Sequence, residues 1–125
     1  MGSYIITYDL RSGNPSPYRP FIEEAEKQGL LYVWKGKNKV HRLPNTTLWG
    51  RFDGVVAARS AFERALRAAS RRVGYAINDE KRVIVRASEV WVKSDIAKAP
   101  EPKWTGSTAF RTSRLHQDND PFFAY

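Results

Sequence analysis

Stretches with strand-like and helix-like patterning alternate along this chain in the order β-α-β-(β)-β-α-β, which predicts an α+β domain. Three observations carry that prediction. Tyr4-Ile5-Ile6-Thr7-Tyr8 is a run of β-branched and aromatic residues. Val55, Ala58, Phe62, Leu66, Ala69 and Val73 recur at helical spacing. Arg82-Val83-Ile84-Val85-Arg86 is again strand-like. With 125 residues, 42% of them hydrophobic, the chain has material for one core rather than two.

The first strand is expected to end at Asp9-Leu10, followed by a loop over residues 11–17 that carries Gly13, Pro15 and Pro17. A helix is expected over residues 18–28. Pro20 is tolerated in its first turn, Phe21, Ile22 and Ala25 form its apolar face, and Gly29 stops it. Residues 30–34 read as a strand, Lys35 to Lys39 as a basic turn, and residues 40–43 as the returning strand. Residues 46–52 read as a further strand. The longest helix is expected over residues 55–73, between Gly54 and Gly74. Residues 82–86 form the last core strand, with a bulge or break at Ala87-Ser88 before residues 89–92. This order is the ferredoxin-like, split β-α-β pattern, an antiparallel sheet with two helices on one face. Residues 1–93 are assigned to that domain. Residues 94–125 are a C-terminal extension, expected to fold weakly, yet it carries Trp104, Phe110, Phe122, Phe123 and Tyr125. A purely solvated tail seldom has five aromatics, so it either packs back on the domain or docks on a protein partner.

Composition excludes several chemistries. There is no cysteine, hence no disulfide, thiolate metal site or thiol nucleophile. With His41 and His116 as the sole imidazoles, zinc is not expected, nor is an organic cofactor. No apolar run reaches transmembrane length, so no membrane partner is expected and a cytoplasmic location is. The net charge of +8 is localised. Residues 94–125 hold four basic and four acidic residues, whereas Lys35 to Arg72 hold ten basic residues against Asp53 and Glu63. Such a one-signed segment attracts polyanions, RNA or DNA among them.

Three sets of residues could carry function. Arg64, Arg67 and Arg71 share the outward face of the long helix, flanked by Arg59 and Arg72, and guanidinium forks suit phosphate oxygens. The bland alternative is a solvated helix face. Lys35, Lys37 and Lys39, with Arg42 after them, form a basic hairpin that either binds backbone phosphate or protects a sheet edge. Trp34 and Tyr32 beside it could stack on unpaired bases. Asp9, at a strand end, either accepts hydrogen bonds from the loop amides of residues 11–13 or holds Mg²⁺, two copies sharing one ion in a symmetric dimer. One face of the first strand, Tyr4, Ile6 and Tyr8 or Ile5, Thr7 and Asp9, must cover the helices, leaving the other for single strands or a dimer contact.

Tyr4-Ile-Ile-Thr-Tyr-Asp-Leu10 resembles the first strand of CRISPR-associated protein 2 and its SinR-like and VapD-like relatives, which commonly ends in Tyr-Asp or Phe-Asp. Leu43-Pro-Asn-Thr-Thr-Leu-Trp-Gly50 resembles the SinR-like sheet segment, and the run Asn78 to Val85 is similar to that family's entry into its last core strand. The likeness covers about residues 4 to 86. It implies a ferredoxin-like, homodimeric, nucleic-acid-associated domain in which Asp9 binds a divalent metal and supports nuclease chemistry, with RNA the favoured substrate. The proline-rich loop after Asp9, the insertion from Lys35 to Arg42 and the aromatic extension depart from the family pattern. Two other readings stand beside it: a non-enzymatic interaction protein that docks on a nucleoprotein complex through its aromatic extension, and a toxin-type ribonuclease.

Overall fold

The computed structural model describes residues 1–125. Strand β1 (Gly2–Leu10) is the centre of a three-stranded antiparallel sheet, between β4 (Thr47–Phe52) and β5 (Asp79–Ala87). Alternation decides its faces. Tyr4, Ile6, Tyr8 and Leu10 are buried, while Thr7 and Asp9 are exposed. The register sets Ile6 between Leu48 and Ile84, so one apolar face is continuous across all three strands.

Helices α1 (Tyr18–Lys27) and α2 (Val55–Val73) pack on each other and cover that face. Phe21 and Phe62 are fully buried there, their rings 4.9 Å apart, with the Tyr8 ring 5.1 and 5.4 Å away edge-on. Gly74 ends α2 in the left-handed conformation, φ 84°, as its sequence position suggested. Gly50 lets β4 pass close under the end of α1. A Cβ there would run into the Gly29 carbonyl and the Phe52 ring.

Strands β2 (Val33–Lys35) and β3 (Val40–Arg42) differ from the expected single sheet. They form a second antiparallel sheet, with β6 (Ala97–Lys98) beside β3, joined to the first through a Leu31–Trp49 bridge. The whole is α+β, two three-stranded antiparallel sheets and three helices, an arrangement compatible with a ferredoxin-like fold. Ala87 ends β5, so the slip in alternation at Ala87-Ser88 is a strand end, and residues 89–92 add no strand. No helix is long and apolar enough to cross a membrane.

The C-terminal extension packs back on the domain and is well built. Helix α3 (Ala109–Asn119) starts on Thr108, whose side chain accepts from the Arg111 amide. It lies against β2 and satisfies that strand's free edge. Ser113 Oγ accepts from the Lys35 amide at 2.9 Å, and Gln117 Oε1 from the Tyr32 amide at 2.7 Å. His116 is fully buried. Its Nε2 accepts from the Glu101 amide at 3.0 Å, which leaves Nδ1 as the donor to the Thr112 carbonyl at 2.9 Å. Phe123 sits in the same core cluster as Ile6 and Phe62.

Asp120, itself buried, fastens the final turn. Lys98 Nζ lies 2.8 Å from Asp120 Oδ2, and the Phe122 amide donates to Oδ1 at 3.0 Å. Burial alone would raise the Asp120 pKa, but these partners outweigh it and hold it below the usual carboxylate value. A depressed acid stabilises the fold above its unfolded pKa and loses that contribution as pH falls through the folded one. Asp120→Asn is therefore expected to melt lower than the parent chain at neutral pH. Melting curves should show the gap held down to about pH 4 and closing only as pH falls below the ordinary aspartate value of 3.8; a gap constant to the lowest pH would contradict this linkage.

Candidate nucleic-acid interface

The inward side of α2 is Ala58, Ala61, Phe62, Ala65, Leu66 and Ala69, all buried. The same periodicity turns Arg59, Arg64, Arg67 and Arg71 outward, and all four are exposed. Arg64 Nε donates to Gln28 Oε1 at 2.7 Å. Glu63, the one acid on this helix, is committed elsewhere. It pairs with Arg82 at 2.8 Å, and Arg82 also holds Asp79 at 2.6 Å and lies 4.3 Å from the Phe62 ring centre. The stripe therefore keeps its positive charge.

Arg72 stands apart from that stripe. It reaches Glu23 at 2.7 Å and Glu24 at 3.1 Å, bracing α2 against α1. Burial would raise the pKa of Glu24, yet Lys27 and Arg72 hold it below its ordinary value. Arg42, grouped with the hairpin lysines by sequence, is likewise engaged inside the fold. Its guanidinium carbon lies 5.1 Å from the Tyr32 ring centre and 4.6 Å from that of Tyr125. Sequence alone cannot separate such internally paired arginines from free ones.

In the hairpin, the Gly36 amide closes the turn onto the Lys39 carbonyl at 2.9 Å. Lys35 Nζ folds over its own turn, 2.6 Å from the Gly36 carbonyl, whereas Lys37 and Lys39 are exposed. The hairpin and the α2 stripe are not one patch. Lys35 and Trp34 share a groove with Ser3, Trp49 and Arg51, which lie on the sheet face opposite the helices. Arg51 belongs to that second surface, exposed and held by Ser3 Oγ and the Met1 carbonyl, each at 3.0 Å. Alternation along Thr47-Leu48-Trp49-Gly50-Arg51 is the signal that could have found it.

The aromatic face of β1 is core. Tyr8 is buried, which pushes its phenol pKa upward. The face left open carries Ile5, Thr7 and Asp9, with Val83 and Val85 beside them on β5. Asp9 is exposed at the rim of a shallow cleft with Thr7, Thr46, Lys81 and Val83, and Lys81 is its register partner. The loop amides are not arranged around it as expected: the Arg11 amide donates to the Asn78 carbonyl at 2.8 Å. Magnesium needs several oxygen ligands in near-octahedral geometry. One carboxylate with a lysine opposite does not supply them, and no group of three His, Cys, Asp or Glu side chains gathers anywhere in the chain. Within a single chain the donor set does not fit that ion.

Comparisons with family models, with curated proteins and with solved structures find no match for this chain.

Proposed function

We propose that this chain is a nucleic-acid-binding protein that grips the phosphate backbone, with a ferredoxin-like domain as its scaffold. The observation that carries the proposal is the uncompensated arginine stripe on α2. Arg59, Arg67 and Arg71 are exposed, and Glu63 is tied to Arg82 rather than to them. An ordinary solvated helix face mixes both signs and gains from i, i+4 pairs. A one-signed stripe repels itself and is relieved by a polyanion, whose bound counterions are released. The likeness of the first strand to the CRISPR-associated protein 2 relatives points the same way. Of the aromatic extension, Phe123 is buried in the core, while Phe122 and Tyr125 stay exposed and keep the interaction-protein reading as the alternative.

Cleavage is not part of this proposal, since Asp9 lacks companion ligands in its own chain. The test is binding of labelled single- and double-stranded RNA and DNA across a salt series, with Mg²⁺ or EDTA. Affinity that falls steeply with salt, unchanged by EDTA and by Asp9→Ala, is the expected result. Absence of binding at low salt would reject the proposal. Mg²⁺-dependent cleavage abolished by Asp9→Ala would instead establish a nuclease, with the metal shared between copies.

A further inference from the structure

On the sheet face opposite the α2 stripe, β2, β4 and the start of α3 enclose a groove of about 450 Å³. That volume is within the range of small-molecule clefts. Its floor is Trp49, 2% exposed and fixed by an Nε1 hydrogen bond to the Val33 carbonyl at 2.6 Å. Trp34, 4.3 Å from Trp49 between ring centres, and Phe110, 5.7 Å from it, form the walls and are half-buried. Two cations, Lys35 and Arg51, line it, and no carboxylate does. Arg51 is exposed, and the Lys35 ammonium donates to the Gly36 and Lys37 carbonyls and keeps one N–H for a ligand.

We propose that this groove receives an unpaired base of a single-stranded nucleic acid, with Arg51 and Lys35 on the adjoining phosphates. This rests on the nucleic-acid reading above and names the substrate form. The argument is complementarity of shape and charge. Flat π-surfaces with cations beside them match a stacked base and its anionic backbone, and every base offers a π-face. A duplex keeps its bases stacked on one another and cannot fill the groove without unpairing. An acidic peptide would meet the cations but leave the aromatic walls unmatched. The walls are also pre-set: the Trp49 hydrogen bond and the packing of α3 on β2 hold the rings before any ligand arrives, which lowers the ordering cost of binding.

The test compares short oligouridylate and oligothymidylate with abasic strands of equal length on the unaltered chain, then on Phe110→Ala and Trp34→Ala. One stacked base corresponds to an affinity advantage of about tenfold. The expected result is that advantage for base-bearing strands, reduced towards unity in both variants while their melting curves stay cooperative. The comparison on the unaltered chain needs no variant to fold. Equal affinity for abasic strands would overturn the base site and leave phosphate binding standing. A preference retained in both variants would place the stacking elsewhere, as on Trp91, which is 83% exposed, and would also overturn it. Failure to bind either kind of strand would reject phosphate binding together with the groove.

Discussion

Phe123→Ala is expected to destabilise the protein by about 3–5 kcal/mol, the range for truncating a buried phenylalanine. The size of the effect is informative because the residue lies in the extension beyond the last long strand, where sequence patterning promises little. Phe123 is fully buried, its ring 5.9 Å from His116 and 4.9 Å from Phe122, and it belongs to the cluster built around Ile6, Phe21 and Phe62. Removing the ring leaves a cavity that α3, pinned to β2 by Ser113 and Gln117, cannot collapse to fill. Denaturant unfolding of both chains measures the loss. A change below about 1 kcal/mol, the level of an ordinary surface substitution, would show that the extension does not share the core.

Replacing Arg64, Arg67 and Arg71 together by alanine is expected to weaken nucleic-acid binding by about two orders of magnitude in 0.1 M salt. Three lost phosphate contacts should also flatten the log–log salt dependence, by about 2.7 for duplex DNA and about 2 for single strands. Stability should hardly move, since Arg67 and Arg71 point to solvent and Arg64 gives up only an exposed hydrogen bond to Gln28. Arg72→Ala is the contrasting variant. Its guanidinium joins Glu23 and Glu24 across the α1–α2 contact, so it should leave the salt slope unchanged. Binding isotherms at four or five salt concentrations separate the two. Equal slopes for the triple variant and the parent chain would remove the stripe from the interface.

Local periodicity explains what was legible. Helix α2 is observed over the residues its spacing predicts, because its buried side chains are apolar and all lie on one side. Strand β1 alternates cleanly for the same reason. Helix α3 breaks that rule: its buried residues are Thr112, Ser113 and His116, polar groups whose burial is tolerable only where partners wait. Two of those partners, the Glu101 and Lys35 amides, come from other segments. A pattern reader that seeks an apolar stripe finds none there. The Thr108 cap and the Asp120-Pro121 stop were the remaining local signals.

The candidate surfaces divide in the same way. By itself the sequence determined the strand and helix periods, the glycine stop after α2, and the concentration of basic residues between Lys35 and Arg72. Those are properties of neighbours along the chain. Only the tertiary structure decided which cations remain free: Arg72 and Arg82 meet carboxylates, Arg42 lies between two tyrosine rings, and Arg67 and Arg71 meet only solvent. It also brought Trp34 of β2, Trp49 and Arg51 of β4, and Phe110 of α3 around one groove, although these three segments are separate in sequence. The physical reason is that charge pairing and aromatic enclosure depend on distances of a few ångströms between segments, which no local pattern encodes.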